Sequence, residues 1–290
     1  MELQSRRASR AVVVATYVGS AAAFILVAGA VGRSDSWWAI SAGYLASVVV
    51  VYVVGQVVKN AGIFGPWWNV MPSVAAVWLA IGADEVDDTR RWLVPACVLL
   101  WGIRSTVHWA LCWPGLAHES WRHADLYRSG RVPRWLVDLV VVHLVPTIIV
   151  ALACLPLVAA LSNTGNPFGA LDVVAAVVVV LAVGLEAVAD EQLRRFNRGK
   201  APSDLMDAGT WARSRHPNYL GEIGFWWGVW VFALASSWDA VWTVIGPIEI
   251  TVMFMVASIP LSERRSAAKR LGWFDYVERT PVLLPRLGGS

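Results

Sequence analysis

The sequence predicts an all-α fold, a polytopic bundle of transmembrane helices, and three observations carry that reading. Hydrophobic residues make up 57% of the 290-residue chain and charged residues only 16%. Mean hydropathy is +0.54. Apolar runs of about 20 residues recur, the length that crosses a hydrocarbon core of roughly 30 Å. A soluble helical core is excluded, because nearly every run is apolar around its whole circumference. Each crossing must be helical, since lipid offers the backbone no hydrogen-bond partner.

Eight segments fit, at about 11–31, 37–58, 66–82, 92–113, 135–161, 169–190, 219–235 and 240–261. The first follows Arg6, Arg7 and Arg10 and resembles a signal peptide. Its apolar run is too long for one, and its removal would spoil the alternation of charge between loops. The second is an unbroken Val/Ala-rich run. The third and the seventh are short and rich in Trp and Gly, so they are tilted or partial spans. The fourth carries Arg104 and His108 on one face, at i and i+4. The fifth carries Asp138 and His143, which read as interhelical hydrogen-bonding groups. The sixth ends in LEAVADEQLRRF, and the eighth runs into SIPLSERR.

Charge sets the orientation. With eight spans, every Lys and Arg falls on the side of both termini except Arg33, Arg90, Arg91 and the intramembrane Arg104. Positive loops mark the cytoplasm, so both termini are expected inside the cell inner (plasma) membrane. The loop GADEVDDTRR falls outside. A net charge of +3 is too small to argue for nucleic acid; the basic side is expected to touch membrane lipids instead. Cys97, Cys112 and Cys154 lie within spans and read as small apolar residues. No P-loop or Rossmann glycine pattern is present. HESWRH places His118 and His123 five residues apart, about 140° around a helix, which cannot present two ligands to one zinc. No metal is expected.

Ionisable groups inside a membrane are functional candidates. Glu186, Asp190 and Arg194 recur at i, i+4 and i+8 and form one stripe on the sixth span. A snorkelling helix end accounts for Arg195 and Glu191 but not for the deeper Glu186, so the stripe is expected to line a polar cavity. In TWARSRHPNYLGE, Pro217 suits a first helical turn. Arg213, Arg215 and His216 therefore crowd a helix N-terminus that is already positive, an arrangement that asks for an anion such as phosphate. Asn218, Tyr219 and Glu222 add amide, hydroxyl and carboxylate groups. Glu263, Arg264 and Arg265, with Tyr276 beyond them, follow the last span and are placed to close the same pocket. Lys269 and Arg270 read as a surface-lying basic helix. Arg104 needs an anionic partner from among Glu119, Glu186, Asp190 and Glu222. Trp67, Trp68, Trp226 and Trp227 could wall a lipid or planar-ring site.

Taken in order, KNAGIFGPWWNVMP, WGIRST, HESWRH, EAVADEQLRRF, GTWARSRHPNYLGE and YVERTPVLLP resemble the steroid 5-alpha-reductase-like superfamily of membrane enzymes, and its bacterial branch of membrane proteins in particular. The resemblance runs over nearly the whole chain. It implies a single membrane-embedded domain over residues 1–290, with most cofactor motifs in 186–285. It also implies NADPH in a cytoplasm-facing cavity and reduction of an activated C=C bond in a steroid- or lipid-like substrate. The resemblance places cofactor contacts at Asp190, Arg194, Arg215, His216, Asn218, Tyr219, Glu222, Arg264 and Tyr276, and the reading of the residues adds Glu186, Arg195, Arg213, Glu263 and Arg265 to the same site. Phe64, Trp67, Trp68, Arg104 and Trp226 would line the substrate. The family's Tyr-Asp-Pro-like stretch is replaced here by Phe64, Gly65 and Pro66, so Tyr219, His108 and Glu119 become the candidate proton donors. Isoprenylcysteine carboxyl methyltransferases carry a similar R-H-P-x-Y-x-G stretch, so an S-adenosylmethionine-dependent methyltransferase is the second reading. A lipid-binding protein without catalysis is the third.

Overall fold

A computed structural model describes residues 6–33, 36–128, 130–201 and 203–285. Among the described residues all regular structure is helical. The order is α1 (Arg6–Val31), α2 (Ser36–Val58), a 3₁₀ turn at Ala61–Phe64, α3 (Trp67–Ile81), α4 (Asp88–Cys112) and the short α5 (Trp121–Tyr127). A broken span follows, made of α6 (Arg134–Val137), a π turn (Asp138–Leu144), α7 (Val145–Ala153) and α8 (Leu155–Ser162). Then come α9 (Ala170–Gly199), α10 (Pro217–Ser236), α11 (Ile245–Met253), α12 (Ile259–Ala267) and α13 (Trp273–Arg279).

Six helical segments have the length and hydropathy to cross a membrane: Arg6–Val31, Ser36–Val58, Asp88–Cys112, Arg134–Ser162, Ala170–Gly199 and Trp238–Ala267. The two predicted segments outside this set are the short ones, α3 and α10. With 15 residues, α3 rises only about 22 Å, less than the hydrocarbon thickness of about 30 Å. α10 is an interior helix. Its Phe225, Trp226, Val229 and Phe232 are all buried, so its apolar surface meets protein rather than lipid. The predicted sixth span is longer than expected, because its helix continues without a break to Gly199. The breaks in the fifth and eighth spans fall beside Pro146, Pro156 and Pro260. A proline lacks the amide hydrogen and crowds the preceding turn, which widens or kinks the helix there.

Loops expected to share a side do meet. At one end Asn60 Nδ2 donates to the Leu116 carbonyl at 2.7 Å, and Leu116 N donates to Ser9 Oγ at 3.2 Å. Arg215 N donates to the Pro281 carbonyl at 2.9 Å. This basic end therefore gathers the start of α1 and residues beyond α13; Arg286 lies outside the described residues. At the opposite, acidic end Arg91 pairs with Asp84 at 2.7 Å. Arg90, expected as a loop charge, is instead 1% exposed. It pairs with the equally buried Asp172 at 2.7 Å.

The seam between α9 and α10 positions everything that follows. A Cβ on Gly221 would stand 2.7 Å from the Ala182 carbonyl, and one on Gly228 would stand 2.7 Å from Val179. Only glycine permits this approach, a small-residue seam of the kind that lets membrane helices pack closely. It brings the start of α10 against the Glu186–Asp190 stretch of α9.

Candidate functional site

At the basic end, α5, the end of α9, the start of α10, α12 and α13 surround a hollow of about 350 Å³. Arg215, His216, Asn218, Tyr219, Arg265 and Tyr276, all expected at such a site, line it. So do Trp121, Arg122, Lys200, Lys269 and Arg270. Pro217 starts α10, which fixes His216, Asn218 and Tyr219 around its first turn. The His216 ring stacks on Tyr219, centroids 5.3 Å apart and 5° from parallel. Arg122 Nη2 reaches Tyr219 OH at 3.4 Å, and the Arg265 guanidinium lies 4.1 Å from the Trp121 ring centroid. α5 is thereby tied to α10 and α12 across the hollow.

The charge here is unbalanced. No carboxylate lies within ion-pair distance of Arg122, Lys200, Arg265 or Lys269 among the described residues. Burial and the neighbouring Arg270 push the Lys200 ammonium below its usual range. The Tyr276 hydroxyl is pushed up by burial and donates to the Trp211 carbonyl at 2.6 Å. An electropositive hollow walled by aromatic rings suits a planar, anionic ligand.

Behind the hollow sits a buried polar cluster. Asn218 Nδ2 donates to Asp190 Oδ1 at 3.2 Å. Arg104 Nη1 donates to Asp190 Oδ2 at 2.6 Å, and its Nη2 pairs with Glu186 Oε1. The anionic partners of Arg104 are thus Glu186 and Asp190, which join it in a three-residue ion network, while Arg194 of the expected stripe pairs elsewhere. Trp68 Nε1 donates to Glu222 Oε1 at 2.8 Å. His108 Nε2 stands 3.8 Å from Asp190 Oδ2. Two acceptors in this cluster, Asn218 Oδ1 and Glu186 Oε2, are buried with no hydrogen-bond donor.

Other expected residues lie off the hollow. Arg194 and Arg195 both pair with Glu191, at 2.6 and 2.5 Å, because i+3 and i+4 neighbours capture them first. Arg213 and Arg264 are exposed and do not line it. Glu119 pairs with Arg134 at 2.5 Å. Glu263 supports the wall from behind, accepting from Arg215 Nε at 2.8 Å and lying 3.1 Å from His216 Nε2. Arg215 also donates to the carbonyls of Val277 and Thr280, at 3.1 and 2.8 Å. It ties the C-terminal segment down as much as it faces the hollow. Phe64 stacks on Trp67 at 5.4 Å and Trp226 packs against Trp101 at 5.4 Å, so both belong to the apolar core. Neither they nor Trp67, Trp68 and Arg104 reach the hollow's surface.

Trp121 and Arg122 lie outside the expected set, because within HESWRH the sequence signal falls on the histidine spacing and on Glu119. Lys269 and Arg270 lie outside it because a basic amphipathic stretch reads first as a surface helix.

These features define an all-helical, multi-pass membrane protein with a basic, aromatic-walled hollow over a buried carboxylate network. By sequence the chain belongs to a family of proteins of unknown function, DUF1295, whose model matches residues 51–280. It is 25% identical over 284 residues to "Uncharacterized protein C594.04c" of Schizosaccharomyces pombe, covering 85% of this chain and 81% of that protein. No solved structure matches.

Proposed function

We propose that this protein is an NADPH-dependent reductase of an activated C=C bond in a steroid- or lipid-like substrate, working in the plasma membrane with its hollow toward the cytoplasm. One observation carries the reading. Arg122, Lys200, Arg265 and Lys269 line a hollow without carboxylate partners among the described residues, and so does Asn218, whose buried Oδ1 lacks a donor, as does Glu186 Oε2 deeper in the same cluster. The residues fit a phosphorylated dinucleotide on both counts. Unpaired cations suit a pyrophosphate and a 2′-phosphate, and orphaned acceptors suit the N–H groups of a carboxamide, since leaving them unmet costs about 1–3 kcal/mol each. The cationic sulfonium of S-adenosylmethionine would meet the same cations with repulsion.

The bound cofactor would supply a hydride to the β carbon of the activated alkene. The chain's own residues hold and orient. Arg122, Arg265 and Lys269 take the phosphates. Trp121 and Tyr276 wall the flat ring, and Asn218, backed by the Glu186 cluster, fixes the carboxamide. Arg104 keeps Glu186 and Asp190 in place. Tyr219, at the rim with its hydroxyl beside Arg122, and His108, beside Asp190, remain the side chains placed to hold the proton for the α carbon. Glu119, held by Arg134, drops behind them.

Thermal unfolding of the detergent-purified chain with NADPH, NADH and S-adenosylmethionine tests this. NADPH should raise Tm most, and Arg265→Ala and Asn218→Ala should each weaken that shift about tenfold in concentration, the loss of one hydrogen-bonded contact. Stabilisation by S-adenosylmethionine alone would make the chain a methyltransferase; stabilisation by none would leave a lipid-binding protein. Arg215→Ala is the poorer probe, because it also frees the C-terminal segment.

A further inference from the structure

A second site lies at the acidic end and on the flank of the bundle, independent of the reductase reading. A groove of about 760 Å³ runs between α1, α3 and α4. Its walls are Ile25, Val74, Val77, Leu99, Ile103 and their apolar neighbours. The groove follows from the shortness of α3, which leaves the flanks of its longer neighbours uncovered. At its acidic end it meets a polar cup of about 290 Å³, and Arg33 and Trp78 line both. The Arg33 guanidinium lies over the Trp78 ring at 4.8 Å. Arg33 has no carboxylate partner among the described residues. The cup also holds Asp84, Glu85, Ser36, Ser162 and Thr164. Asp84 is turned to Arg91 at 2.7 Å, which leaves Glu85 as the cup's anion without an ion-pair partner among the described residues.

We infer that this composite site binds one aminophospholipid of the phosphatidylethanolamine type: acyl chain in the groove, phosphate on Arg33, primary ammonium in the cup at Glu85. The tail makes the site a lipid site but gives no selectivity, because an acyl chain gains nothing by leaving a bilayer as apolar as the groove. Selectivity must come from the head group. An isolated cation beside an isolated anion matches a zwitterion. A purely anionic head group would satisfy Arg33 but face Glu85. A quaternary ammonium would reach Glu85 without a hydrogen to donate, whereas a primary ammonium donates three.

Native mass spectrometry of the 290-residue chain in detergent tests this, with dioleoyl phosphatidylethanolamine, phosphatidylcholine and phosphatidylglycerol offered in equal amounts. The ethanolamine lipid should be retained at about tenfold lower concentration than either of the others, the discrimination of one hydrogen-bonded charge contact. Glu85→Gln should erase the preference over phosphatidylglycerol, and Arg33→Ala should lower retention of all three. Val77→Trp, which fills the groove without touching the cup, should abolish retention; circular dichroism confirms that each variant is folded. Equal retention of the three lipids by the wild type, or a preference untouched by Glu85→Gln, overturns the assignment. Retention unchanged by Val77→Trp shows that the lipid sits elsewhere, which overturns it equally.

Discussion

Arg104 shows what single residues settle in this chain. It stands in a spanning helix, 17% exposed at its side chain, and faces two carboxylates that are less exposed still. Removing one partner of a buried network leaves uncompensated charge, at a cost of about 3–5 kcal/mol. Arg104→Ala should therefore lower Tm sharply in detergent. Arg104→Lys should recover only part of the loss, because a single ammonium cannot serve two carboxylates as a planar fork does. A Tm within a degree of wild type for Arg104→Ala would show that Glu186 and Asp190 are held by something else. A mid-membrane arginine announces that it has an anionic partner, and helical spacing put Glu186 and Asp190 on one face. Choosing those two over Glu119 and Glu222 required packing, because that choice depends on which helices touch. Glu249 went unremarked, and it too is a spanning-helix carboxyl with an orphaned oxygen.

At the scale of elements, the α9–α10 seam brings the two halves of the candidate site together. Asn218 and Glu222 reach the network on α9 only because Gly221 lies against the Ala182 carbonyl and the Glu186 backbone, where a Cβ would stand 2.7 and 2.8 Å away. Neither atom is the far end of a flexible side chain, so the helices must separate to admit a methyl group. Overpacking of this kind costs about 1–3 kcal/mol. Gly221→Ala should thus lower Tm and also weaken stabilisation by NADPH, because it pushes Asn218 from Asp190. Gly184→Ala is the control: nothing lies within 4 Å of its Cβ position, and alanine favours the helix by about 1 kcal/mol. Were both variants to behave alike, close approach at Gly221 would not be what seats the site. Helices as such were legible, since apolar length reports them. The shortness of α3 was visible in the length of its apolar run, but the interior position of α10 only as Trp and Gly content. The glycines at 221, 224 and 228 do not say which neighbour they admit.

Across the whole molecule, α4, α9 and α10 are pinned at both ends. At the basic end Arg104, Asp190 and Asn218 join them. At the acidic end Arg90 joins the same three helices: it donates to both Asp172 oxygens at 2.7 and 2.8 Å, to the Asn166 and Pro167 carbonyls, and to the Ala235 carbonyl at 3.2 Å. The two pins lie about 21 Å apart along α4. Charge counting placed Arg90 in a loop because that rule reads sequence position and not burial. Arg90→Ala and Asp172→Ala should each cost about 3–5 kcal/mol by stranding a buried charge. The double variant Arg90→Met with Asp172→Leu strands no charge, yet it takes the Arg90 donor from the Asn166 and Pro167 carbonyls and the Asp172 acceptor from Gly169 N, so it should recover stability only in part. The longer-range consequence is at the other pin. If the acidic-end clamp sets the register of these helices, both single variants should also weaken stabilisation by NADPH, although neither residue approaches the hollow. A single variant that loses Tm but keeps the full NADPH shift would confine the clamp to a local role and leave the α9–α10 seam alone to position the site.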